Sequence, residues 1–171
     1  MKSWQTLAML VSTLLSKVCC HSMCLPYHTK YDLKIHKYLT VIKSRAFLDR
    51  EQNSVILLEL GAVERLVFLM TSADKSVRRH SLMVLGLMSS VQAVRKVLAE
   101  DKQKIVQDCS TLIQDEDAVV VEFAIAILAN LATVYQIKEE IIENGSLPGI
   151  IKLLSSNDPD TKKHALVCLL R

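Results

Sequence analysis

Glu122-Phe123-Ala124-Ile125-Ala126-Ile127-Leu128-Ala129-Asn130-Leu131-Ala132 is the stretch whose reading decides the fold. It reads as one amphipathic helix that closes on Ala-Asn-Leu-Ala. Weaker copies lie on either side, from Ser81 to Met88 and from Ala165 to Leu170. Ser81, Ala124 and Ala165 hold the same place in each copy and fall 43 and 41 residues apart. A repeat of this length, with two or three helices per unit, is the signature of a helical solenoid.

Other markers keep the same register. Gly61 and Gly145 are separated by two repeats, and Asp74, Asp117 and Asp158 recur at the repeat spacing. In the first unit Val55 to Leu60 is an apolar helix broken at Gly61, a residue that takes positive φ at a helix end. Val63, Leu66, Val67 and Leu69 give a second helix its apolar face. Asp74 is the expected N-cap of a third helix from about Lys75 to Ser89. In the second unit Val94, Val97 and Leu98 mark one helix, and Ile105, Val106, Cys109, Leu112 and Ile113 another. Asp101 to Gln103 turn without a glycine, and Asp115-Glu116-Asp117 place negative charge at the start of the long helix. The third unit runs through Ile137, Ile141 and Ile142 to a stop at Asn144-Gly145. Pro148 then suits the first turn of the next helix, and Asp158-Pro159 supplies an N-cap and first helical residue.

Composition agrees with helix. The 171 residues are 50% hydrophobic but only 5% aromatic, so the core is aliphatic. Four glycines and three prolines are few for a fold of many tight turns. The net charge of +3 is uneven: residues 105–171 carry five Lys/Arg against ten Asp/Glu, whereas residues 1–52 carry eight against three. No run of five like charges occurs, so a dedicated nucleic-acid surface is disfavoured. Cys109 and Cys168 lie inside helical patterns and read as buried small hydrophobes in a reducing compartment.

Residues 1–29 stand apart. Lys2 precedes an uncharged, apolar run to Ser16, which resembles a secretory signal but is too short to span a bilayer. The small residues of a cleavage site are poorly placed, so an apolar capping helix, or an unusual alternative start joined to the repeats, is favoured and secretion is the minority alternative. Cys19, Cys20, His21, Cys24 and His28 lack the paired spacing of a zinc site, and no metal is expected there. Residues 30–52 read as a degenerate helix of a leading repeat, with Ile42 in register 43 residues before Leu85. Residues 53–171 then divide into units 53–90, 91–133 and 134–171, the last truncated.

A unit of short helix, Gly, helix, Asp-turn and long helix ending in Leu-x-Asn-Leu resembles the armadillo repeat. Gly61-Ala62-Val63, Asp74 to Arg79 and Leu128-Ala129-Asn130-Leu131 carry the pattern, which covers about residues 52–170. The expected fold is therefore all-α: a right-handed α-solenoid of about three armadillo repeats plus an irregular N-terminal helical segment. The resemblance implies a protein–protein interaction scaffold that binds partner proteins or extended peptides on its concave face. It also implies a cytoplasmic setting, with an association with cilia or sperm. A side-chain amide donates to and accepts from a peptide backbone at once, and Asn130 sits where the family places that amide.

The pattern departs from the best-known peptide binders. The equivalent of Asn130 is Leu87 in one unit and Arg171 in another, and Ala126 stands where nuclear-import armadillo proteins carry Trp. Arg79 and Lys163 recur early in the third helices and suggest a basic strip for an acidic partner, which Glu122 interrupts. Asn130, Arg79, Glu122, Ala126 and Lys163 are thus the candidate partner-binding residues. For Asn130 the competing reading is a hydrogen bond to a neighbouring repeat or to its own helix end.

No P-loop, dinucleotide fingerprint, nucleophile elbow or zinc-protease motif occurs. No histidine pairs with Asp or Ser at a meaningful spacing, so no catalytic residue and no cofactor are expected. The rival to a binding scaffold is a truncated, marginally stable product with no specific binding of its own. Three units are about the minimum for a stacked core, and Leu166, Leu169 and Leu170 stand near its end.

Overall fold

The computed structural model describes residues 51–171. The expectations for residues 1–50, including the signal-like run, the cysteine cluster and the leading helix, lie outside them. The described residues hold nine helices, in the order short, short, long, three times over. They are α1 (Glu51–Glu59), α2 (Ala62–Leu69), α3 (Lys75–Met88), α4 (Gln92–Leu98), α5 (Lys102–Leu112), α6 (Ala118–Leu131), α7 (Tyr135–Glu143), α8 (Leu147–Leu153) and α9 (Pro159–Leu170). No strand occurs among the described residues. The chain divides into two compact units between Leu87 and Met88.

In the first unit α1 packs against α2. Gly61 joins them at φ 67°, a left-handed conformation open to glycine at little cost. α2 then buries Ala62, Val63, Leu66 and Leu69, at the three- and four-residue spacing of one helical face. Along α3 the buried stripe is Val77, Ser81, Leu82, Val84 and Leu85.

The second unit is built around α6, which packs most extensively on α9 and also on α5 and α4. Residues Ala124 to Ala129 of α6 are buried without a break, as is Leu131. A helix that is apolar all round belongs in an interior. Ala124, Ala126 and Ala129 keep it slim, so that helices approach on several sides. Each Leu or Ile buried here contributes about 1.5–3 kcal/mol relative to exposure, and Ile125, Ile127, Leu128 and Leu131 are all fully buried. α7 packs on α5, and α8 on α9.

The long helices share one start signal. Asp74 accepts from the Val77 N–H at 2.9 Å, Asp117 from Val119 at 3.0 Å and Asp158 from Thr161 at 2.7 Å. Two residues earlier, Ser72, Asp115 and Ser156 each accept from the backbone N–H of the capping aspartate. These bonds satisfy donors that a helix start leaves without partners. Gly145 ends α7 at φ 70°. The α4–α5 junction turns at Asp101 without a glycine, at φ −113° and ψ 63°, and Asp101 makes no side-chain cap.

Candidate functional site

The candidate residues sit on the long helices, where α6 supplies three of them and α3 and α9 one each. Ala126 is buried at 6% exposure, so its methyl packs in the interior and offers a partner little surface. Glu122 is half-buried one turn earlier. Lys163 is exposed in the first turns of α9, beside exposed Lys162. Arg79 is exposed on α3 in the first unit. Beside it in sequence, Arg78 donates to the Ser72 carbonyl at 2.8 Å, and the buried His80 ring lies 2.6 Å from the Ser76 carbonyl.

Asn130 is committed to the structure. Its Nδ2 donates to the Ser89 hydroxyl at 2.9 Å, and Ser89 immediately follows the C-terminus of α3. Arg171, the residue in the equivalent place after α9, donates from Nη1 to the Ala129 carbonyl at 2.8 Å. Both bonds run backward by about one repeat within the second unit, and the Arg171 bond ties the C-terminal end of α9 to that of α6. The amide that would read a peptide backbone is therefore partly spent inside the protein, which leaves its Oδ1 to accept.

Sequence reasoning missed Ser89 because the bond spans 41 residues and the serine lies in a turn. It also missed a polar cleft on the shorter helices of the second unit. There Gln107, Ser110 and Thr111 on α5, with Gln114 in the turn after it, lie opposite the Asn144-Gly145-Ser146 turn. The signal was present as an amide-and-hydroxyl stripe at i, i+3, i+4 and i+7, which reads as an ordinary solvated face.

Burial raises the Cys109 thiol well above its ordinary range and pushes Cys168 up to about 11; both cysteines are free thiols. Among the described residues no group of His, Cys, Asp and Glu is arranged to hold a metal ion. No helix among them is long and apolar enough to cross a membrane.

The family model of the armadillo/β-catenin-like repeat matches residues 135–170, the span of α7 to α9. Armadillo repeat-containing protein 3 of Homo sapiens is 44% identical over 120 residues, which cover 70% of this chain. The repeats are armadillo repeats. The chain spans 14% of the length of that human relative. Among solved structures, an engineered protein aligns with 94% of this armadillo-repeat chain at a TM-score of 0.72 and 23% identity, over 61% of its own length. A designed armadillo repeat protein in complex with the peptide (KR)4 aligns with 95% of the chain at a TM-score of 0.68 and 21% identity, over 62% of its own length. At these identities the solved structures establish the armadillo solenoid fold alone.

Proposed function

We propose that this armadillo chain is a non-enzymatic scaffold that binds partner proteins or extended peptides along its long third helices. The observation that carries the reading is the match of the repeats to armadillo proteins, a fold that typically serves protein interaction. A designed protein of the same fold is in complex with the peptide (KR)4, which supports a peptide ligand here. In the second unit the face would be formed by Glu122, the Asn130 Oδ1 and the exposed Lys163, with Ala126 packed beneath them in the interior. Arg79 would contribute the corresponding charge on the first unit. The expected setting is cytoplasmic, with a ciliary or sperm association, and immunofluorescence of the endogenous protein tests it.

An array of extended peptides probed with the full chain tests the function. Binding that falls with Asn130→Ala and Lys163→Glu supports the third-helix face. Binding unchanged in both variants removes these residues from it.

A second reading is that this chain by itself is marginally stable and has no specific binding, and one observation favours it. Leu166, Leu169 and Leu170 on α9 are 50%, 36% and 76% exposed, whereas Ile125, Leu128 and Ala129 at the equivalent places on α6 are buried. A broad, non-cooperative melt accompanied by ANS binding supports this second reading.

A further inference from the structure

The polar cleft on α5 has no role in the third-helix face. It is a surface cleft of about 520 Å³ lined by residues of α5, the α7–α8 turn and the start of α8. That volume lies within the range of small-ligand sites. Its floor is a fixed hydrogen-bonded cluster. Ser110 and Ser146 hydroxyls lie 2.5 Å apart, and the Asn144 amide donates to both oxygens at 3.3 Å. Ser110 also donates to the Val106 carbonyl, and Ser146 is 5% exposed. Above this floor Gln107, Thr111 and Gln114 are exposed. Gly145 has open space where a side chain would stand, so the turn backbone is accessible.

The stripe is peculiar to the middle repeat. At the places of Ser110 and Thr111, the preceding repeat has Val67 and Phe68, and the following one has Ile151 and Lys152. The repeat fold therefore does not require amides and hydroxyls there. From Gln107 to the helix end at Leu112 the face runs about 7–8 Å along the helix, and Gln114 in the turn extends it, enough for roughly three residues of extended chain. Thr111 and Gln114 donate to the Gln107 and Ser110 carbonyls at 3.1 and 3.5 Å, which leaves the Thr111 hydroxyl oxygen and the amide oxygens to accept from a peptide backbone. Asp115 is the one charged side chain among the lining residues. It stands in the acidic part of the sequence, where residues 105–171 carry ten Asp/Glu against five Lys/Arg.

We propose that this cleft is a second docking site, for an extended peptide segment carrying a lysine or arginine. The amides of Gln107, Gln114 and Asn144 line the path of the peptide backbone, and Asp115 faces the basic side chain. The site shares no residue with the third-helix face, so the two stand or fall separately.

The test is an NMR titration of the ¹⁵N-labelled full chain with the hexapeptide Ser-Lys-Ser-Lys-Ser-Lys and, in parallel, with Ser-Glu-Ser-Glu-Ser-Glu. The lysine peptide is expected to shift the side-chain amide signals of Gln107, Gln114 and Asn144, and the glutamate peptide to leave them in place. Thr111→Lys and Asp115→Ser introduce residue types that the neighbouring repeats already carry at these positions. Asp115→Ser is expected to weaken binding roughly tenfold, as loss of a charge-assisted contact does, and Thr111→Lys to weaken it through repulsion of the peptide's lysines, while Asn130→Ala leaves it unchanged. Shifts confined to the third helices and abolished by Asn130→Ala would overturn the cleft and leave the third-helix face standing. Equal response to the two peptides, or response to neither, also overturns the cleft.

Discussion

The Asn130 amide donates to the Ser89 hydroxyl at 2.9 Å, tying the C-terminal end of α6 to the turn after α3. The bond gives Asn130 a structural role before any ligand is present. Asn130→Ala is expected to destabilise the protein by about 0.5–1.5 kcal/mol, the net contribution of one such bond. Ser89→Ala should cost a similar amount, and the double variant less than the sum. Urea denaturation of the four proteins checks this. Strictly additive effects would show that the two side chains do not depend on each other.

Two aspartates respond to pH in opposite senses. The hydrogen bond from Thr161 holds the Asp158 carboxyl below its ordinary value. A depressed acid stabilises the fold above its unfolded pKa of about 3.9, and that contribution is lost as pH falls through the lower folded value. Asp108 is raised, first by burial and then by Asp101, with Lys104 working against them. Its Oδ2 is buried without a hydrogen-bond partner. Ionisation of Asp108 therefore costs stability as pH rises above the unfolded value. Asp108→Asn should raise Tm near neutral pH and lose that advantage in acid. Asp158→Ala should lower Tm near neutral pH, the loss of a cap costing about 0.5–2 kcal/mol. Thermal melts across the carboxylate range measure both.

Gly145 and Gly149 separate backbone strain from packing. Gly145 has φ 70° and nothing within 4 Å of an added Cβ. Gly145→Ala is expected to cost about 1 kcal/mol through the left-handed backbone alone, and Gly145→Asn less, since Asn tolerates that region. A Cβ on Gly149 would lie 3.1 Å from Ile113 Cδ1, so Gly149→Ala must displace that side chain. The companion variant Ile113→Val shortens the branch that meets it and should relieve part of the cost. Equal stability of Gly145→Ala and wild type would contradict the strain.

The thiols Cys109 and Cys168 should be slow towards Ellman's reagent in the native state, because burial both shields them and disfavours the reactive thiolate. The measurement uses a background in which Cys19, Cys20 and Cys24 are serine. Guanidinium should release both thiols. Rapid native-state reaction at Cys109 would mean that α5 opens readily.

Much of the fold was legible in the sequence because the repeat writes its punctuation in residues with local consequences. Asp74, Asp117 and Asp158 cap their helices within two or three positions, and Gly61 and Gly145 terminate theirs by left-handed backbone. Such signals need no knowledge of distant neighbours. The site was less legible for the opposite reason. Ser89 and Asn130 meet across a repeat, as do Ser110 and Ser146. The polar face of α5 resembles any solvated helix face until the Asn144–Ser146 turn is brought against it. Ala126 was a candidate by its place in the armadillo pattern, yet it lies in the interior because α6 is enclosed by helices on several sides.

Hydrophobic burial along α6 sets the expected hierarchy of core variants. Leu128→Ala should cost about 2–5 kcal/mol, since Leu128 is fully buried. Leu170→Lys should be nearly neutral in stability and should lower ANS binding, since Leu170 is 76% exposed. Chemical denaturation and dye fluorescence distinguish these outcomes.

Native-state amide hydrogen exchange over residues 51–171 tests most directly whether the chain is a stable armadillo stack able to act as a scaffold. The amides of Ile125 to Leu131 in α6, enclosed by α4, α5 and α9, should exchange last and only through global unfolding. Exchange in α6 as fast as in the final turn of α9 would contradict the account and favour a chain without a cooperative core.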